Sequence, residues 1–395
     1  MGDRVRFRRF VQRLAVQEPL KVVFLGGSPL DGQSVSQSSE SHLSHQIIAY
    51  LQSINPKVKL QFTAIPNVPL SYYSVFFDAH VDKDADLVFI DLAAEDPVYL
   101  QDGNHQIHEV LFRRAMDLPH RPPVIELMFQ RQSANYTLAR PEFSFTNGDY
   151  LSMLSQYYHQ PWLSYRGVFW DDMVRSRAGW EKSEFFAADG VRPTARGHRA
   201  MAELLAQMVR REAKLLSTRE PWGEDEETQL HRPLIGPLFE NVSTINPGGL
   251  LRGQKLKEAA DGEASRGFKW MDGPSDAAQG QGWRAREAGS RLVLDLDPAD
   301  IVPLGPENIN QAALVYRRAA QGVGSAMLVC GRACNCSRTA LEGSREGLLA
   351  QAFAGVFKVA ATGPCRVEVL TSDEGEFLVY GLGVLTDMGA VKPLV

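Results

Sequence analysis

The sequence predicts two domains of different fold class, an α/β domain followed by an antiparallel β-sandwich of jelly-roll type. Between residues 18 and 216, short apolar strands alternate with longer amphipathic segments, the pattern of a parallel sheet covered by helices on both faces. Residues 217–264 are rich in Pro, Gly, Glu and Asp and keep no hydrophobic period, so we assign them to a linker or an extended wrap. Residues 265–395 carry short β-like runs separated by Gly, Pro, Asp and Asn turns, as in a sandwich.

The elements of the α/β domain follow from hydrophobic period. Residues 22–25 and 87–92 are almost continuously apolar, whereas residues 59–65 alternate apolar and polar side chains. Apolar residues three and four positions apart predict the helices. The predicted strands are 22–25, 59–65, 87–92, 124–129 and 162–165, and the predicted helices are 42–54, 105–116, 150–159 and 195–216.

The second domain is predicted from short strands with turn residues between them. Trp270 and Trp283 could stack on sugar rings if exposed, but large aromatic side chains more often fill a core, and we favour the core. The predicted strands are 291–296, 312–317, 326–330, 357–361, 366–370 and 376–381.

Composition excludes several classes of protein. The 395 residues are 44% hydrophobic and 23% charged, which is typical of globular domains. A formal net charge of −5 provides no basic field for nucleic acid, and no apolar run approaches the roughly 20 residues of a membrane span. Residues 1–20 are basic and weakly amphipathic, without the apolar core of a signal peptide, and predict a short surface helix beside the first strand. A shortened or misplaced start would give the same pattern.

The four cysteines all lie in the second domain. Their even number favours one or two disulfides and an oxidising compartment over a zinc site, because no Cys-x-x-Cys pair and no nearby histidine are present. Free buried thiols remain a further alternative. These disulfide candidates are Cys330, Cys334, Cys336 and Cys365.

Three N-glycosylation sequons begin at Asn135, Asn241 and Asn335. Together with the clustered cysteines, they weakly favour a location in the secretory pathway or outside the cell. The absence of a recognisable signal peptide points the other way.

Three segments of the first domain carry chemistry. The first strand ends in Gly26-Gly27-Ser28, which would place a small nucleophile at the carboxyl edge of the sheet. The third strand continues as Leu-Ala-Ala-Glu-Asp-Pro, ending at residue 97. The last helix is preceded by Asp189-Gly190-Val191-Arg192.

In their order and spacing these segments resemble the SGNH/GDSL hydrolase superfamily over residues 21–216. The resemblance implies a flavodoxin-like, three-layer α/β/α fold that cleaves esters of lipids and acetylated sugars. It also implies a serine nucleophile, a histidine base three residues after an aspartate, and an oxyanion hole. The donors of that hole are the serine N–H, a glycine N–H and an asparagine side chain.

Carried over residue by residue, the resemblance implies that Ser28 is the would-be nucleophile and Asp189 the would-be triad acid. Arg192 stands at the histidine position. The oxyanion-hole positions fall on Ser28, Asn67 and Glu95. Guanidinium accepts no proton, and a carboxylate at the asparagine position repels an oxyanion. We therefore expect a catalytically degraded hydrolase with a ligand-binding or assembly role.

Less specific interpretations stand beside this one. Ser28 could cap the following segment, the residue at position 95 could be a surface acid, and an Asp189–Arg192 pair could simply hold a loop. Pro29 lacks an N–H next to the nucleophile. A metal site on Glu95, Asp96 and Asp189 is disfavoured because no histidine ligand joins them, and we predict no metal and no cofactor.

The alternative function is an active serine ester hydrolase of the carbohydrate acyl esterase type, using Ser28 with a base recruited from elsewhere. His42, His45 and His198 are the candidate bases. A third hypothesis is a structural subunit. The expected partners are an acylated or glycan ligand and a protein assembly partner, with no nucleic acid and no membrane span.

Overall fold

The structure of the protein is a computed structural model, and its chain forms two compact units. Unit 1 holds residues 1–66 and 81–240, and unit 2 holds residues 67–80 and 241–395. The residues described are 4–32, 34–36, 38–65, 70–94, 105–129, 147–175, 177, 179–218, 221–239, 242, 249–272, 281–297, 309–319, 321–344, 351–358 and 360–386.

Unit 1 is built on a five-stranded sheet in the order β2-β1-β3-β4-β5, and every strand pair in it is parallel. The predicted parallel sheet is therefore confirmed. β1 and β3 are buried along almost their whole length because helices cover both faces. The strands are β1 (Leu20–Gly26), β2 (Val58–Ala64), β3 (Leu87–Asp91), β4 (Val124–Met128) and β5 (Trp162–Ser164).

Ten α-helices accompany the sheets in the described parts of the chain, of which α3 and α10 belong to unit 2. On one side of the sheet α1, α2 and α8 pack against one another, and α4 packs against α5 beside β4. The helices are α1 (Val5–Ala15), α2 (Leu43–Ile54), α3 (Leu70–Val75), α4 (His105–Met116), α5 (Asn147–Tyr157), α6 (Tyr165–Val174), α7 (Lys182–Phe185), α8 (Ala195–Thr218), α9 (Glu224–Leu230) and α10 (Gln254–Glu258).

The core of unit 1 runs between β1–β3 and the helix layer of α1, α2 and α8. Phe24 and Phe89 stack at its centre with ring centroids 4.4 Å apart. The N-terminal helix is more deeply packed than a surface helix, since Phe7, Phe10 and even Arg8 are buried. The guanidinium of Arg8 is bound by Glu212 of α8 at 3.1 Å, so α1 is part of the fold.

Unit 2 is a β-sandwich, as predicted. One sheet has the order β13-β10-β15-β8-β7 with β6 also paired to β15, and the other has the order β12-β11-β14-β9. The strands are β6 (Gly249–Arg252), β7 (Lys269–Met271), β8 (Gly282–Ala285), β9 (Arg291–Leu296), β10 (Ile309–Arg318), β11 (Ala326–Asn335), β12 (Thr339–Leu341), β13 (Gln351–Lys358), β14 (Ala360–Thr371) and β15 (Phe377–Thr386).

The core of unit 2 lies between its two sheets. Tyr316 and Phe377 stack within it at 5.4 Å. Trp270 and Trp283 pack against this core while staying partly exposed, and their rings meet edge to face at 5.4 Å.

Several sequence predictions differ from the structure. Residues 357–361 are not one strand, because β13 pairs with β10 in one sheet and β14 pairs with β11 in the other. Between β13 and β14 the chain passes from one sheet to the other. A continuous apolar run in the sequence does not show where such a crossing occurs. Residues 217–264, interpreted as a linker or wrap, contain the helix α9, the helix α10 and the strand β6, which completes a sheet by pairing with β15.

Segment 67–80 is the other departure from the sequence-based organisation, because it follows β2 of unit 1 in the chain yet packs in unit 2. It contains α3 and a 3₁₀ turn, Phe77–Ala79. Its aromatic side chains Tyr73, Phe76 and Phe77 are buried.

The four cysteines form two disulfides, Cys330–Cys336 and Cys334–Cys365. Their Cα atoms lie 5.5 and 4.9 Å apart, which is within the usual range. The predicted disulfides are thereby confirmed and the zinc alternative is not needed. In the described parts of the chain, no helix is both long and apolar enough to cross a bilayer.

Candidate active site

Ser28 follows β1 directly, at the carboxyl edge of the sheet where open parallel sheets bind their ligands. The Gly27 N–H donates to the carbonyl of Asp91 at 3.0 Å, which ties the turn to β3. Gly26 is needed for this turn, because a Cβ there would lie 2.8 Å from Leu30 Cδ1. Ser28 is 3% exposed, so its side chain is packed within the protein.

Pro29 sits within a 3₁₀ turn, Ser28–Leu30, that the Leu30 N–H closes on the Gly27 carbonyl at 3.0 Å. Proline is tolerated in the first turn of a helix because the N–H it lacks has no intrahelical partner there. Pro29 is therefore compatible with the local structure of the nucleophile turn.

The Asp189–Arg192 loop is held by its own backbone. One carboxylate oxygen of Asp189 accepts the N–H groups of Val191 at 2.9 Å and Arg192 at 3.1 Å. Gly190 adopts φ +65°, a left-handed conformation that glycine takes without strain. The Arg192 carbonyl accepts the Ala187 N–H at 2.8 Å, so the backbone of residue 192 is fixed.

The guanidinium of Arg192 bridges two carboxylates. Its Nη1 donates to Asp189 Oδ2 at 2.6 Å and its Nε donates to Asp31 Oδ2 at 2.9 Å. The Arg192 side chain is 15% exposed and the Asp31 side chain only 1%. The structure thus brings the Ser28–Asp31 turn and the Asp189 loop together through this ion triad.

The ionisation of the triad follows from these contacts. Burial raises the pKa of Asp189, but the Val191 and Arg192 N–H groups and the guanidinium outweigh it, so the pKa is lowered overall. Burial lowers the pKa of Arg192, and Asp31 and Asp189 more than reverse this, leaving it raised. Arg192 therefore stays a cation and Asp189 an anion.

Asp31 is the site residue that sequence reasoning missed. It closes the 3₁₀ turn after Ser28, and Asp-Gly there signals only a turn. Its partner Arg192 is 161 residues away in the chain, so no local pattern could connect them.

The histidines considered as replacement bases are engaged elsewhere. His42 caps α2, where its Nδ1 accepts the Ser44 N–H at 3.3 Å. The ring of His198, in the first turn of α8, lies 4.7 Å from the ring of His42, and both are almost fully buried.

Both buried imidazoles are held neutral. Burial lowers the pKa of His42 to about 4, helped by the charge of His45 and opposed weakly by the Leu30 backbone. Burial lowers the pKa of His198 to about 3, helped by His42. His42 Nε2 and His198 Nδ1 have no hydrogen-bond partner in the described part of the chain.

The remaining predicted oxyanion-hole residues, Asn67 and Glu95, lie outside the described residues, as does Asp96. The described residues contain no group of three or more acidic, histidine or cysteine side chains arranged to hold a metal. A cleft of about 790 Å³ opens at the first turns of α2 and α8, with Trp180, Arg196 and Glu203 in its wall. Neither Ser28 nor Arg192 lines it.

Known structures share this architecture, although no protein-family model and no curated protein matches the sequence. A two-domain esterase active on acetylated mannans, co-crystallised with mannopentaose, superposes with a TM-score of 0.66 at 16% identity, covering 99% of this chain and 97% of its own. A second structure of a two-domain esterase active on acetylated mannans gives 0.66 at 15%, covering 98% and 97%. At this identity the likeness establishes the fold alone: an α/β domain followed by a β-sandwich, the arrangement also found in that two-domain esterase.

Proposed function

We propose that this protein is a catalytically degraded SGNH-type hydrolase that keeps a binding role, with an acylated carbohydrate as its ligand class. The observation that carries the proposal is the ion triad of Arg192 with Asp31 and Asp189. In a working site of this type the position of Arg192 holds the general base.

The triad argues against base catalysis in two ways. A general base needs a lone pair and a pKa near the operating pH, and guanidinium offers neither. The Asp189 carboxylate already accepts three hydrogen bonds from the loop. It therefore holds the loop in place instead of orienting a catalytic base. Loss of the triad histidine costs on the order of 10⁴–10⁶ in rate in well-studied serine hydrolases.

The ligand class is proposed from the fold. The solved two-domain esterase that aligns over 99% of this chain acts on acetylated mannans. A descendant that has lost the base but kept both domains is expected to retain affinity for an acetylated polysaccharide rather than for a simple ester.

The catalytic half is tested by hydrolysis of p-nitrophenyl acetate. We expect wild type and Ser28→Ala to have equal rates, because the guanidinium at the position expected for the base accepts no proton. Arg192→His should raise the rate by about 10–100-fold over that background, below the full effect of a general base because Glu95 stands at an oxyanion-hole position. Arg199→His, on an exposed face of α8, is the matched control and should change nothing.

The gain in Arg192→His must disappear when Ser28→Ala is added. Ser28-dependent turnover by the wild type would overturn the proposal and support an active esterase with a recruited base. For the binding half, titration calorimetry compares acetylated with deacetylated mannan oligosaccharides. We expect heat from the acetylated form, and no heat from either would refute the ligand class.

A further inference from the structure

The sequon Asn335-Cys336-Ser337 lies at the end of β11 and is the only one of the three whose residues are all described. Asn335 and Ser337 are both exposed. In the described structure neither the Asn335 amide nor the Ser337 hydroxyl makes a hydrogen bond. The Ser337 carbonyl accepts from Thr339 Oγ1 at 3.1 Å.

The surroundings of the sequon indicate its compartment. The disulfide Cys330–Cys336 includes the middle residue of the sequon, and Cys334 next to Asn335 is bonded to Cys365. Disulfides of this structural kind form and persist in oxidising compartments and are rare in the cytosol. The same compartment in eukaryotic cells contains the enzyme that glycosylates such sequons.

We propose that Asn335 is an N-glycan acceptor and that the chain is glycosylated there before its disulfides close. The Asn335 amide nitrogen attacks the anomeric carbon of a polyprenyl-diphosphate-linked oligosaccharide. A C–N bond forms, the anomeric C–O bond breaks, the amide gives up one proton, and the polyprenyl diphosphate leaves. The Ser337 hydroxyl completes the acceptor sequence that the transferase reads.

The order of events follows from the geometry. In the folded chain Asn335 pairs with Ala360 of β14 and is flanked by two disulfides, so its backbone is fixed in a ladder. The transferase must bind the backbone of the acceptor segment, and in the ladder that backbone is already paired with β14. Glycosylation therefore has to occur before the ladder forms. Once attached, the sugar extends from an exposed strand end and displaces no packed side chain.

The proposal is tested on the full chain secreted from a eukaryotic host behind a heterologous leader peptide. The parent carries Asn135→Gln and Asn241→Gln, so that any glycan reports position 335. Endoglycosidase treatment in heavy-oxygen water followed by peptide mass spectrometry then marks glycosylated Asn335. Asn335→Gln and Ser337→Ala each remove the acceptor, and Ser337→Thr is the matched control that keeps a hydroxyl.

We expect most parent molecules and most Ser337→Thr molecules to be modified at Asn335, and none of the Asn335→Gln or Ser337→Ala molecules. Secreted, disulfide-bonded parent with unmodified Asn335 would overturn the proposal. So would free thiols at Cys330 and Cys336 in the secreted protein, because the compartment argument depends on that bond. Since the parent alone decides both points, poor folding of a variant does not affect the outcome.

Discussion

At the scale of single residues, the site is governed by one cation between two anions. Removing one partner of a buried ion pair costs about 3–5 kcal/mol when the other charge stays buried, whereas an exposed pair contributes about 1 kcal/mol or less. Asp31 is 1% exposed and Arg192 15%, so their pair belongs near the first case. Arg192 therefore stabilises the loop through its pairs with Asp31 and Asp189.

This difference predicts the effect of Arg192→Met on stability. We expect a loss of about 3 kcal/mol in the free energy of unfolding, measured by urea denaturation at neutral pH, because Asp31 loses the guanidinium. Arg199→Met is the matched control, since its pair with Glu203 is 72% and 61% exposed and should cost under about 0.5 kcal/mol. Equal losses in the two variants would contradict a structural role for the triad.

At the scale of elements, α2 and α8 meet through their first turns at the His42–His198 contact. No charged group in the described chain except His45 affects the pKa of this pair, so burial dominates. Both imidazoles are neutral in the fold and would have to lose their packing to accept a proton. The contact between these helices is consequently sensitive to acid.

The sign of the pH effect follows from the pKa values. The folded-state values, about 4 for His42 and about 3 for His198, lie below the value of about 6.5 expected in the unfolded chain. The unfolded state therefore binds protons first, and stability is complete above pH 6.5 and falls as the pH drops toward 4. At pH 5 each histidine should cost about 2 kcal/mol.

Urea denaturation between pH 7 and pH 4.5 measures this loss, and His42→Asn should reduce its slope by about half. Asparagine keeps a helix N-cap while removing one titrating group. The control is His231→Asn, because His231 is 64% exposed and should leave the slope unchanged. An unchanged slope in His42→Asn would show that the pair does not set the acid sensitivity.

At the scale of the whole molecule, the two units share the chain in an interlaced order. Segment 67–80 leaves the α/β sheet after β2, contributes to unit 2, and returns for β3. Within unit 2, Arg252 Nη1 donates to His80 Nδ1 at 3.0 Å, and His80 Nε2 donates to the Tyr72 hydroxyl at 3.0 Å. This chain of hydrogen bonds attaches the segment to β6.

Removing the donor tests that attachment. Arg252→Met withdraws the hydrogen bond that the exposed Arg252 donates to the fully buried ring of His80, at a cost of about 1–3 kcal/mol. We expect faster amide exchange in peptides covering residues 70–80, measured by mass spectrometry. Lys255→Met changes an exposed side chain of α10 and should leave those peptides unaffected. Similar exchange in both variants would contradict the attachment.

Local pattern was sufficient for the five strands of the parallel sheet, the helices 42–54 and 105–116, and the sandwich class, because burial on one or both faces imposes a hydrophobic period on a strand or helix. The family resemblance gave Ser28, Asp189 and Arg192 as candidate site positions, and that assignment stays a prediction. Local pattern did not reveal that segment 67–80 belongs to unit 2. A short apolar stretch indicates that a segment is buried, but not which part of the chain it packs against.

The sequence by itself determined that residue 192 cannot act as a general base, since a guanidinium accepts no proton in any fold. What only the tertiary structure decided is what Arg192 does instead. Its pairing with Asp31 joins residues 161 positions apart, and such a contact is set by the packing of β1 and the loop before α8. The physical reason is that periodicity records which side of an element is buried, while an ion pair depends on where two elements end in space.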